Sequence, residues 1–120
     1  MHTVALVLLG LVAALHVGFL VLEMFLWMTP VGYRVFNTDP HFAERSGPLA
    51  ANQGLYNGFL AAGLAWGVVA QEPVAHPVRV FFLVCVILAG LFGALTVSRR
   101  ILLVQAVPGA LALTAVLLSH

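Results

Sequence analysis

Residues 3–28 run almost without polar interruption, long enough for a helix that crosses a bilayer, and Glu23 lies inside that run. A carboxylate near the centre of a membrane costs roughly 3 kcal/mol on insertion scales. Such a group is usually paired, neutralised or set against a wet cavity, and it marks a functional site by default. The stretch His16 to Pro30 therefore constrains the rest of the chain, which has to make Glu23 tolerable. Composition agrees with a membrane setting. The chain is 62% hydrophobic and 8% charged, where a soluble domain carries about a quarter charged residues. A soluble fold cannot place that much apolar surface out of water.

Taken in order, the apolar runs predict an all-α, polytopic membrane protein. Four transmembrane helices form a compact bundle in a single domain, 1–120, with spans near 3–28, 49–70, 78–97 and 101–118. The first run has no basic segment before it and no small-residue cleavage site after it, so it reads as a retained span rather than a signal peptide. Pro30 and Gly32 stop it, and Trp27 suits an interfacial belt. Between Val31 and Pro48 the chain turns polar, and Asp39 followed by Pro40 resembles a helix N-cap with proline at the first position. A short surface helix is expected in this first cytoplasmic loop. Pro108 and Gly109 should kink the fourth span.

Small residues recur at fourfold spacing, as helices in close approach require: Gly10, Ala14 and Gly18, then Gly54 and Gly58, then Gly63 and Gly67. Orientation follows from the arginines. Arg34, Arg45, Arg99 and Arg100 fall in the first and third turns, and Arg79 stands alone on the opposite side. The positive-inside rule then places both termini outside the cytoplasm, in a multi-pass protein of the cell (inner or plasma) membrane.

Depth matching locates the candidate site. At about 1.5 Å per residue, Glu23 lies roughly 9–10 Å in from Thr29. Gln53 and Asn57 on the second span, Gln105 on the fourth and Thr96 on the third come to similar levels. Polar groups in hydrocarbon need partners, and they are each other's obvious supply. Asn52 and Tyr56, like Gln53 and Asn57, are four residues apart and form adjacent stripes on one helix. Asn and Gln both donate and accept, so they suit a carboxylate or a protonated acid. His16 shares the face of Glu23 but lies about 10 Å deeper, so a water chain or a ligand would have to join them. For each of these groups a purely structural role, gluing helices together, is the competing explanation.

Several classes are disfavoured. The chain has five arginines and no lysine, with a net charge of +1, and shows no basic patch for nucleic acid. Cys85 is the single cysteine, which rules out an internal disulfide. His2, His76 and His120 share the outer side, but no ligand spacing supports a metal site, and no cofactor is expected. His16 is the only deep histidine, which leaves no pair for a haem.

The run Leu22 to Trp27 (Leu-Glu-Met-Phe-Leu-Trp) with its Thr-Pro, and the run Leu49 to Gly63 (Leu-Ala-Ala-Asn-Gln-Gly-Leu-Tyr-Asn-Gly-Phe-Leu-Ala-Ala-Gly), resemble a known family. It is a small four-helix microbial membrane-protein family, domain of unknown function 1304. The resemblance covers essentially the whole chain. It implies a compact four-helix membrane protein in which Glu23, Trp27, Asn52, Gln53, Tyr56 and Asn57 matter, and it supplies no activity.

Three functions follow as expectations. The first is binding or transport of a small amphipathic molecule in the lipid bilayer. Glu23 would carry charge or protons, with His16 as a deeper proton acceptor. Asn52, Gln53, Tyr56, Asn57, Trp27 and Gln105 would contact the ligand. As a transporter the chain would act as a homodimer, because four short helices enclose little space. The second is a membrane-embedded isomerase or epimerase with Glu23 as acid and base and His16 or Tyr56 as its catalytic partner. That alternative resembles, in residue types only, the sterol-isomerase-like four-helix proteins. The third is a structural or accessory subunit.

Overall fold

A chain with so few polar side chains has to satisfy its backbone within itself, and helices do so locally. The computed structural model describes residues 1–120 and contains helices and turns, with no strand. The helices are α1 (His2–Met24), α2 (Pro30–Phe36), α3 (Pro40–Val69), α4 (Ala75–Thr96), a π-helical turn (Leu102–Ala106) and α5 (Val107–Ser119). Three stretches are long and apolar enough to cross a membrane: His2–Met24, Ala75–Thr96 and Leu102–Ser119. The α1 helix is 23 residues long, about 34 Å at the helical rise, against a hydrocarbon core of about 30 Å. The α3 helix is longer, 30 residues, but its first half carries Glu44, Arg45, Asn52 and Gln53, and it is not one of the three.

The chain divides into two compact units, one of residues 1–14 and 60–120, the other of residues 15–59. In the first, a core of Ala5, Leu9, Val12, Leu64, Leu83, Val86, Ala112, Ala115 and Val116 joins α1, α3, α4 and α5. Small residues set the helix spacing. A methyl group added at Gly63 would run into the Phe82 ring, and one at Gly90 would lie 2.7 Å from the Ala106 backbone nitrogen. Proline 108 falls at the start of α5, directly after the π-helical turn. Its missing N–H and its ring disturb the ladder of the preceding turn, and a π turn is one way a helix absorbs this. The departure from regular α-helix thus lies on the N-terminal side of Pro108, over Leu102–Ala106.

In the second unit, α1 ends at Met24, earlier than the boundary near 28 expected from hydropathy. Residues 25–29 turn, and Thr29 caps α2: its hydroxyl accepts from Gly32 N at 3.4 Å and donates to the Leu26 carbonyl at 2.6 Å. Gly32 is required there, because a Cβ would collide with the Leu26 and Trp27 carbonyl oxygens. Asn37 closes α2 in the left-handed conformation, φ 54°, which asparagine tolerates better than most residues. Asp39 is a cap as expected, its Oδ1 accepting from Phe42 N at 2.9 Å. It opens the whole of α3 rather than a separate short helix, and α3 runs on through Pro48.

Candidate functional site

The interior face of α3 in this second unit is a stripe spaced four, three, four, three: Ala43, Gly47, Ala50, Gly54 and Asn57, all but Gly47 buried. That is the spacing of one helical face, and Asn57 is its one polar member. Glycines bring α1 close. A Cβ at Gly54 would lie 2.5 Å from Met24 Cγ, 3.2 Å from Glu23 Cβ and 3.3 Å from the Leu20 carbonyl oxygen. At Gly58 it would lie 2.8 Å from Leu20 Cδ1. This close approach carries the Asn57 amide to Glu23, and Asn57 Nδ2 donates to Glu23 Oε1 at 2.5 Å.

Asn57 is only 6% exposed, while Glu23 is half-buried. The second carboxylate oxygen, Oε2, accepts no hydrogen bond from the protein and is not completely sealed in the interior. One oxygen is thus held in place and the other is left open. Chemically, the arrangement presents an oriented acceptor to a donor group arriving from outside the helix pair.

The other expected ligand contacts are placed differently. Asn52 and Gln53 are exposed, and Tyr56 is 53% exposed with its ring edge-on to Phe59, centroids 5.8 Å apart. They lie within about one and a half turns of Asn57 but off the buried stripe. Trp27 sits in the turn after α1, where Nε1 donates to Ser46 Oγ at 3.1 Å and the ring rests on Phe36. Ser46 in turn donates to the Phe42 carbonyl at 2.7 Å. Ser46 lies 19 residues from Trp27 in the chain, so no local pattern in the sequence links the two.

His16 is completely buried, its ring edge-on to Phe19 at 5.3 Å. It lies on the same continuous helix as Glu23, seven residues earlier, so about 10 Å separates them along the axis. In the first unit, Gln105 is half-buried on the π-helical turn, and Thr96 donates to the Phe92 carbonyl of its own helix at 2.7 Å. Of the expected polar belt, Glu23 and Asn57 are brought together by a direct bond. His76 and His120 stack with centroids 3.6 Å apart; stacked rings turn faces, not nitrogens, toward one another.

Helices of this length and apolarity define a membrane-associated, all-α protein. The chain belongs to the family described as protein of unknown function (DUF1304), which matches residues 10–117. It is 34% identical over 120 residues to the uncharacterized protein YpaA of Lactococcus lactis subsp. lactis (strain IL1403), with 98% of each chain covered. No solved structure matches significantly. The matched stretch contains every candidate residue named above, and neither name brings an activity with it.

Proposed function

We propose that this protein binds a small amphipathic molecule in the membrane, with the Glu23 carboxyl group as the anchoring acceptor. The observation that carries this reading is the half-occupied carboxylate: Oε1 held by Asn57, Oε2 open. The ligand would present a hydrogen-bond donor or a cationic group to Oε2. Asn52, Gln53 and Tyr56 would orient it from the exposed face of α3, and His16 would serve as a deeper proton acceptor. The setting is a single four-helix domain in the cell membrane, with α3 as the fourth crossing, α2 at the surface and both termini outside. Coupled to movement of the ligand across the bilayer, the site would make the chain a transporter working as a homodimer.

A structural reading also has its own support. The Glu23–Asn57 bond lies inside the close packing at Gly54 and Gly58, where a polar clasp would hold two helices in register. Thermal stability of the detergent-purified protein separates the two. Wild type and Glu23→Gln are melted against a panel of small metabolites and lipids. Gln keeps the shape and much of the hydrogen bonding of the acid but carries no charge. A compound that raises the melting temperature of wild type and not of the variant supports binding. Equal melting of both proteins under every condition would leave the clasp as the better account.

A further inference from the structure

The first unit holds a buried cation that the Glu23 site does not use. Arg79 stands on α4, four residues after Ala75, and is only 7% exposed. Its stem crosses Gly67 of α3, where a Cβ would lie 3.0 Å from Arg79 Cγ, so glycine makes room for the side chain. Nε donates to the Gly67 carbonyl at 2.6 Å. That carbonyl belongs to the last turn of α3, where oxygens lack helical partners, so one edge of the guanidinium caps the helix.

The cap accounts for one of five N–H donors. The two terminal amines donate to no group of the protein, and neither is sealed in the interior. No carboxylate pairs with Arg79; the nearest acid along the chain, Glu72, accepts instead from His76 N at 2.9 Å. A guanidinium in this state has a charge and a fork of donors still to satisfy. The planar fork matches phosphate oxygens, which it binds through paired, charge-assisted hydrogen bonds. Depth narrows the choice further. Arg79 lies about 6 Å in from the start of α4 along the helix axis, so with α4 as a membrane span it comes near the level where lipid headgroups meet the hydrocarbon. A phospholipid offers phosphate oxygens at that level, within reach of a planar donor fork.

We propose that the terminal amines of Arg79 hold a phosphate-type oxyanion, supplied by the headgroup of a membrane phospholipid. Gly67 is then a positioning residue, giving both the space for the arginine stem and the carbonyl that fixes the guanidinium. The site is independent of Glu23 and stands or falls separately.

The test is a thermal-shift titration of the full chain in detergent with three probes: short-chain phosphatidylglycerol, inorganic phosphate and a short-chain diacylglycerol of equal tail length. The phospholipid is expected to raise the melting temperature of wild type, and the diacylglycerol is not. The shift should vanish in Arg79→Gln. In Arg79→Lys, which keeps the charge and can still cap Gly67 but loses the fork, the half-effect concentration should rise severalfold. The lysine variant decides the matter should the glutamine variant fail to fold. An effect of inorganic phosphate at similar concentrations would make the site one for free oxyanions as well, with the same amines responsible. Equal shifts with diacylglycerol, no shift with either phosphate-bearing probe, or an unchanged half-effect concentration in Arg79→Lys would overturn the proposal.

Discussion

Glu23 and Asn57 are tied by a single side-chain bond, and everything chemical about the candidate site depends on it. Removing the amide with Asn57→Ala leaves the carboxyl group without its protein donor. Interhelical polar bonds in membranes are worth about 0.6 kcal/mol on average and reach about 1.7, so a destabilisation in that range is expected. Unfolding in mixed micelles measures it, and a double-mutant cycle with Glu23→Ala, which removes the acceptor altogether, isolates the pairwise part. Losses that simply add would mean the two side chains do not act together. At this scale the sequence carried the chemistry but not the rotation. Asn52, Gln53, Tyr56 and Asn57 sit within two turns, and any of the four was eligible to face Glu23. The deciding signal is the glycine pattern: Gly54 and Gly58 mark the side on which α1 comes close, and Asn57 is the polar residue on that side. Arg79 was visible as a lone cation at the head of an apolar run, yet its burial depends on Gly67 of another helix, which no local pattern links to it.

Among the helices, glycines divide into those the fold uses and those it leaves open. A Cβ at Gly54 meets Met24 and Glu23 side-chain atoms and the Leu20 backbone, whereas Gly10 and Gly18 have no atom within 4 Å of one. Gly54→Ala should therefore cost about 1–3 kcal/mol through overpacking. Gly18→Ala should be neutral or stabilise by about 0.4–1 kcal/mol, since alanine restricts the unfolded chain and favours helix. Comparing the two melting curves checks both, and similar losses would mean that α1 is packed on the Gly18 side as well. Helix existence was legible in the long apolar runs, because periodicity is not needed where all faces are apolar. Boundaries were less so. Hydropathy carried the first span to residue 28, but the Thr29 cap and the Gly32 contact pull the chain into a turn after Met24. Hydropathy opened the second span near residue 49, yet α3 starts at Pro40, capped by Asp39, and continues through Pro48.

For the molecule as a whole, three apolar helices and one long helix of mixed character leave topology as the global question. The arginine distribution expects both termini outside. In a Cys85→Ala background, Asn37→Cys should react with a membrane-impermeant maleimide only from the cytoplasmic face, and Gln71→Cys only from the outer face. Labelling of both from one face would remove α3 as a crossing. The central claim, that the Glu23 carboxyl group is open to a small amphipathic molecule arriving from the membrane, has a more direct test. Dicyclohexylcarbodiimide, itself a small apolar molecule, converts reachable intramembrane carboxyl groups to stable N-acylureas that mass spectrometry locates. One adduct on Glu23 is expected in wild-type membranes, with none at that position in Glu23→Gln and slower labelling when a bound ligand is present. A Glu23 that stays unmodified while Glu72 or other acids react would mean the carboxyl group is sealed between α1 and α3, and binding at this site would be contradicted.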